Sequence, residues 1–281
     1  MLELSVYTNG HSATWPALEY AAHLAEAVER PLRLIAIDES PHPSSPDAIQ
    51  PLEAFLEQAK ALFQEHHVTY ELEVHRGHAE DIIPARVNVH PARLHLVSPL
   101  GRSPLQRLLR GRSFRHIMAK AIAPLLYVPR LLWPPAEVLI CVGGIGYEVT
   151  AERIGLQLAK HFQAHITLLT VIPPADLDYP LVHQIQEHER DLWQTDTPLG
   201  RALRRGLEQA QSLGLNASVK VRHGEVVEQI LNEIRQQKPQ LVCMGSPFSS
   251  HSLRHYYMPN VTAEVAESGL APVLTARYDG G

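Results

Sequence analysis

Cysteine is nearly absent: the 281 residues hold two, Cys141 and Cys243. Each sits inside a short apolar run, VLICVGG and LVCMG, so a disulfide framework is a poor reading and inert core thiols are expected rather than redox or nucleophilic ones. Long hydrophobic stretches are missing as well. No run approaches the ~18 residues of a membrane span, and MLELSVYTNG opens as a strand, without the basic segment and apolar core of a signal peptide. A soluble cytoplasmic protein with no membrane partner is the expectation. An excess of positive charge is lacking too. Lys+Arg number 25 against 30 Asp+Glu, for a net charge of −5, which leaves no global field to attract nucleic acid. Lysine itself is scarce, 5 residues against 20 arginines. The one basic run lacks interleaved aromatics, so no nucleic-acid partner is expected.

What the chain does have, it has twice. LELSVYTNG (2–10), a helix-like stretch 14–29 and PLRLIAIDES (31–40) are answered by AEVLICVGG (136–144), 148–162 and HITLLTVIPP (165–174). Each short apolar run adjoins a longer segment whose apolar residues recur at three and four, as in Leu18, Ala21, Ala22, Ala25 and in Ile154, Leu158, Phe162. That is the pattern of strand, helix, strand. VTYELEVHRG (68–77) then matches NASVKVRHG (216–224). ARLHLVSPLG at 92 matches PQLVCMGSPF at 239, a spacing of 147, and APLLYVPR at 123 matches APVLTAR at 271, a spacing of 148. One residue has entered the second copy between its fourth and fifth strands. The loops after the second strands differ: 41–50 is short and rich in proline and serine, while 175–199 is longer and reads as a helix or a lid.

This repetition predicts an α/β chain of two tandem doubly wound domains, 1–131 and 136–281, each with a mostly parallel five-stranded sheet flanked by helices. In such sheets ligands sit beyond the carboxyl ends of the strands. If the first and fourth strands are neighbours, Thr8, Asn9 and Gly10 face the segment from Ser98 to Gly101, and Gly143, Gly144 and Ile145 face the segment from Gly245 to Phe248. Five arginines crowd the first of these places, at 102, 107, 110, 112 and 115, with no acidic residue among them.

In strand order, in GHAEDII (77–83) and GEVVEQI (224–230), in MGSPFSSHS (244–252) and in the closing APLLYVPR and APVLTAR, the chain resembles the tandem form of the universal stress protein family. The resemblance implies degenerate ATP-binding motifs. ATP-binding members carry glycine, two residues, glycine, nine residues, then glycine with serine or threonine, and an aspartate ending the first strand. Glycines let backbone N–H groups approach phosphate at a helix start. Here the first copy has Ser98, then Gly101, the nine residues RSPLQRLLR, then Gly111, Arg112 and Ser113, with Asn9 or Thr8 near the aspartate position. Asn9, Ser98, Gly101, Arg102, Gly111, Arg112 and Ser113 are therefore the candidate binding residues. The cofactor implied for the N-terminal half is ATP or another adenine nucleotide, though none is fixed by these residues. In the second copy Gly245 stays, but Phe248, Pro259–Asn260 and Gly143 replace the rest; a proline supplies no N–H donor. Terminal strands of such domains pair across a dimer. The resemblance thus implies an intrachain pseudo-dimer with 124–129 beside 272–277, which covers two short edges and leaves a higher homo-oligomer open.

Seventeen histidines are scattered, and His251 and His255, at i,i+4 spacing, have no carboxylate in an HExxH arrangement, so no metal site is expected and most histidines read as exposed or hydrogen-bonded. Ser246, Ser249 and Ser250 beside His251 lack a nucleophile-elbow motif, and caps are the better reading. Glu148 and Glu152 read as solvated helix surface. Catalysis has no clear owner, so an enzyme is the less favoured reading. The leading function is a non-enzymatic stress-response interaction or sensing protein, with a nucleotide or other small anion and an unknown protein as partners. The alternatives are an ATP-binding switch with weak hydrolysis, and a hydrolase or nucleotidyl-transfer enzyme of a related α/β family.

Overall fold

Strand β1 (Glu3–Thr8) carries five successive buried residues after Glu3, the signature of a strand covered on both faces. The computed structural model describes residues 3–40, 46–103, 113–174, 189–246 and 261–277. The chain divides into two compact units, 1–131 and 132–281.

In the first unit β1 is followed by α1 (Trp15–Ala27), β2 (Leu32–Asp38), α2 (Pro46–Glu65), β3 (Tyr70–Arg76), α3 (Ala79–Val89), β4 (Arg93–Val97), α4 (Ser113–Lys120) and β5 (Leu125–Tyr127). The sheet order is β3-β2-β1-β4-β5, and each of these pairings is parallel. Leu18, Ala21, Ala22 and Ala25 of α1 are all buried, as the three-and-four spacing predicts. Helix α2 begins at Pro46, inside the stretch expected to be loop; proline is tolerated in a first helical turn, so it does not delay the start. At the edge, β3 alternates poorly and exposes Leu72 and Val74. Its charges bond inward instead: Arg33 bridges Glu71 and Glu73, and Arg86 meets Glu73. Charged edges of this kind discourage further strand pairing.

The second unit repeats the plan with β6 (Glu137–Cys141), α5 (Val149–Phe162), β7 (His165–Ile172), α6 (Pro198–Ser212), β8 (Ala217–His223), α7 (Val226–Gln237), β9 (Leu241–Gly245), α8 (Val261–Glu267) and β10 (Val273–Ala276). Its order is β10-β9-β6-β7-β8, again parallel. Residues 189–194, within the segment read as helix or lid, form a 3-10 helix leading to α6, where Thr197 caps Gly200 N–H. Residues 175–188 lie outside the described residues.

Both sheets are doubly wound, as the sequence predicts. Cys243 is buried, and burial pushes the Cys141 thiol up to about 12 and the Cys243 thiol higher still, so neither is a thiolate at neutral pH. Among the histidines, His95 is fully buried and hydrogen-bonded. Its Nδ1 lies 2.9 Å from the Tyr7 hydroxyl and its Nε2 lies 3.0 Å from the His90 carbonyl, while burial lowers its pKa to about 4. Among the described residues no helix is long and apolar enough to cross a membrane.

Candidate functional site

Because β1 is central in its sheet and lies between β2 and β4, its carboxyl end brings the loops at Asn9, Glu39 and Ser98 together. Asn9 Nδ2 donates to Glu39 Oε2 (2.8 Å) and to the Leu100 carbonyl (3.2 Å), tying the two facing loops to each other. Thr8 is fully buried and its hydroxyl is spent on Thr14, 2.6 Å away.

Arg102 lies at the centre. Its guanidinium bonds both oxygens of Glu39 (2.7 and 2.6 Å) and both oxygens of Glu80 (2.7 and 2.6 Å). Ser113, the first residue of α4, donates to the same Glu80 (2.8 Å). Glu39 also accepts from Ala79 N–H (2.8 Å), one of the orphan donors at the start of α3. A helix N-terminus and a forked arginine are the two commonest devices for holding phosphate, and here one carboxylate occupies both.

The electrostatics follow from this geometry. For Glu80, burial raises the pKa, but hydrogen bonds from Arg102 and Ser113 outweigh it and hold the carboxyl down to about 2. Glu39 is likewise held below its ordinary range, against burial, by Arg102, Ala79 N–H and Asn9. The Glu39 hydrogen bond, then Glu80, raises Arg102 against its burial. Both carboxylates are therefore ionised at neutral pH. Glu39 and Glu80 thus share the single Arg102 guanidinium between them.

Two further candidates are committed to the fold. Ser98 is buried and its hydroxyl donates to the Val128 carbonyl (2.5 Å). Gly101 has φ +67°, and a Cβ there would collide with the His11 ring. Gly111 and Arg112 lie outside the described residues, as do Arg107 and Arg110. The reading of this segment as arginines without acidic neighbours is corrected at Arg102: its counter-charges come from the ends of β2 and the start of α3, too far away in sequence to be seen beside it.

The corresponding place in the second unit is built differently. Gly144 has φ +71°, and a Cβ on it would lie 2.7 Å from the Leu199 Cα. A Cβ on Gly245 would stand 2.5 Å from the Tyr147 carbonyl and 2.7 Å from Glu148 N, so close backbone approach accounts for that glycine without any ligand. Phe248, Pro259, Asn260, Ser249, Ser250, His251 and His255 lie outside the described residues.

Glu148 and Glu152 are a correction to the sequence reading. They are 3% and 1% exposed rather than solvated. Arg205 of α6 bonds Glu152 (2.9 Å) and stands 3.8 Å from Glu148. One oxygen of each carboxyl has no hydrogen-bond partner. Burial pushes both carboxyls above their ordinary range; Arg205 opposes the rise at both, and the Glu148 charge adds to it at Glu152. The i,i+4 spacing was visible, but the inward direction of that helix face was not.

A model of the universal stress protein family matches residues 4–129 and again 136–277. The chain belongs to that family. A universal stress protein from Archaeoglobus fulgidus has the same fold at 14% identity, with a TM-score of 0.72 over 99% of this chain and 97% of that one. A functionally unknown protein from Pseudomonas aeruginosa matches at 15% identity and a TM-score of 0.63, covering 98% and 92%. No curated protein matches the chain in sequence. Universal stress proteins are typically sensing and binding proteins rather than catalysts, in keeping with the expectation for this chain.

One cluster escaped the sequence reading altogether. His23, Glu26 and His66 converge on the flank of the first unit. His23 and Glu26 are one helical turn apart, but His66 is 40 residues beyond Glu26. A search for closely spaced histidines does not find such a set.

Proposed function

We propose that this universal stress protein is a non-enzymatic stress-response interaction or sensing protein whose N-terminal nucleotide position is filled by its own side chains. The observation that carries this reading is the Glu39 carboxylate, which takes both the α3 N-terminal amide at Ala79 and the Arg102 fork. A nucleotide or other small anion enters only by displacing Glu39 and Glu80 from Arg102. In this reading the ATP motif is degenerate in function as well as in residues.

Calorimetric titration of ATP into the full chain tests it. The expected result is no saturable binding at micromolar nucleotide and no phosphate release. The double variant Glu39→Gln, Glu80→Gln, which frees the arginine of its counter-charge, is expected to bind ATP or inorganic phosphate more tightly than the wild type. Stoichiometric micromolar binding by the wild-type chain would overturn the filled-site reading.

An ATP-binding switch is the second reading. It is favoured by Gly101, which keeps a left-handed backbone, and by Ser113, which opens α4 beside the clamp. ATP turnover in the same assay would favour it over the first. An unidentified protein partner belongs to both readings.

A further inference from the structure

His23 and Glu26 project from one face of α1, and His66 follows the last residue of α2. The turn that carries His66 is anchored. His66 N–H bonds the Leu62 carbonyl (3.2 Å), and Val68 N–H bonds the Phe63 carbonyl (2.8 Å) across a left-handed His67 at φ 53°. Val68 and Phe63 are both buried beneath it. His66 thus has a fixed backbone, and only its ring needs to turn.

The three side chains already touch. His66 Nδ1 lies 2.7 Å from Glu26 Oε2, and the His23 ring meets the His66 ring edge-on with centroids 4.4 Å apart. One donor atom from each residue lies within 4.8 Å of the other two. Tetrahedral zinc needs donors about 3.3 Å apart, since each metal bond is about 2.0–2.1 Å, so modest side-chain rotation closes the set. Two imidazoles and one carboxylate suit a borderline cation such as zinc rather than calcium or magnesium.

An open cleft of about 410 Å³ runs alongside, bordered by Glu26, Glu29, Arg30, His66 and His67. It gives a fourth ligand, water or an exogenous donor, a route to the ion. We propose that His23, Glu26 and His66 form a binding site for a divalent transition-metal ion of the zinc class, with one coordination position open to that cleft. The ion replaces the His66–Glu26 hydrogen bond with bonds to both residues, which joins α1 to the end of α2 through the metal. This site does not depend on the filled nucleotide position.

The test uses the full chain without a histidine tag, stripped of metal by a chelator and titrated with zinc chloride by calorimetry at neutral pH. One equivalent is expected to bind more tightly than the background of scattered histidines. Cobalt at the same site should show the visible absorption of low-symmetry four- or five-coordination. His23→Gln and His66→Gln are each expected to weaken that equivalent by at least about tenfold, the scale at which even outer-shell changes act. His165→Gln, in the second unit, should leave it unchanged. Zinc should raise the melting temperature of the wild type but not of the two site variants. If either variant fails to fold without metal, Glu26→Gln serves in its place, since it keeps the shape of the contact. A tight equivalent that survives all three substitutions, or the lack of any equivalent above background, overturns the site.

Discussion

Gly155 of α5 lies directly against Cys243 of β9: a Cβ at position 155 would stand 2.5 Å from the sulfur and 3.4 Å from the cysteine Cβ. The helix can approach the sheet this closely only because one partner has no side chain.

Gly155→Ala should therefore destabilise the protein even though alanine favours helix by about 1 kcal/mol. Overpacking of this kind costs about 1–3 kcal/mol, and against the fully buried Cys243 sulfur the net loss after the helix gain should be up to about 2 kcal/mol. Urea denaturation measures it. Cys243→Ala in the same chain should recover most of the loss, because the two positions share one space; strictly additive effects would show that the contact is not the cause.

Arg102→Ala should strand Glu39 and Glu80 beside each other. Removing one member of a buried ion pair costs about 3–5 kcal/mol; these side chains are 17% and 12% exposed, so a smaller loss of about 1–3 kcal/mol is expected. The penalty should shrink as the solution is acidified and the stranded carboxylates take up protons. A penalty equal at pH 7 and pH 4 would place its origin in lost packing instead of charge.

The two units should answer acid in opposite senses. Glu80 has a folded pKa held down to about 2 from 4.5, so its contribution is present above pH 4.5 and is lost as pH falls toward about 2. Glu148 and Glu152 have folded pKa values raised above 4.5. Their protonated forms are the better tolerated, so their contribution is present below pH 4.5 and is lost as pH rises through the folded values. Glu80→Gln should consequently destabilise more at pH 7 than near pH 3, whereas Glu152→Gln should compare better with the wild type at pH 7 than near pH 4. Chemical denaturation across that range reads both, and parallel pH profiles for the two variants would contradict the assignment.

The sheets were legible because buried parallel strands are continuous apolar runs: VLIC and LVCM announce β6 and β9 without help from anything distant. The site was legible only in part. Asn9, Ser98, Gly101, Arg102 and Ser113 are where strand order brings them, but what they do depends on partners from other elements. Glu39 directly follows β2 and Glu80 lies in the first turn of α3, and nothing near residue 102 announces either. In the same way Glu152 reads as surface until Arg205, 53 residues on, reveals which way its helix face points. Local pattern records the period of an element; the choice between burial with a partner and exposure is made by tertiary packing.

Asn9, Glu39, Arg102, Glu80 and Ser113 form one linked set, and that linkage bears on the history open to the protein. Losing the arginine strands two acids, losing either acid leaves the arginine half-matched, and clearing both still leaves the His11 ring seated over Gly101. Any single substitution in the set leaves a partner unmatched, so the arrangement resists change one residue at a time. The linkage acts as a ratchet against change at one position at a time.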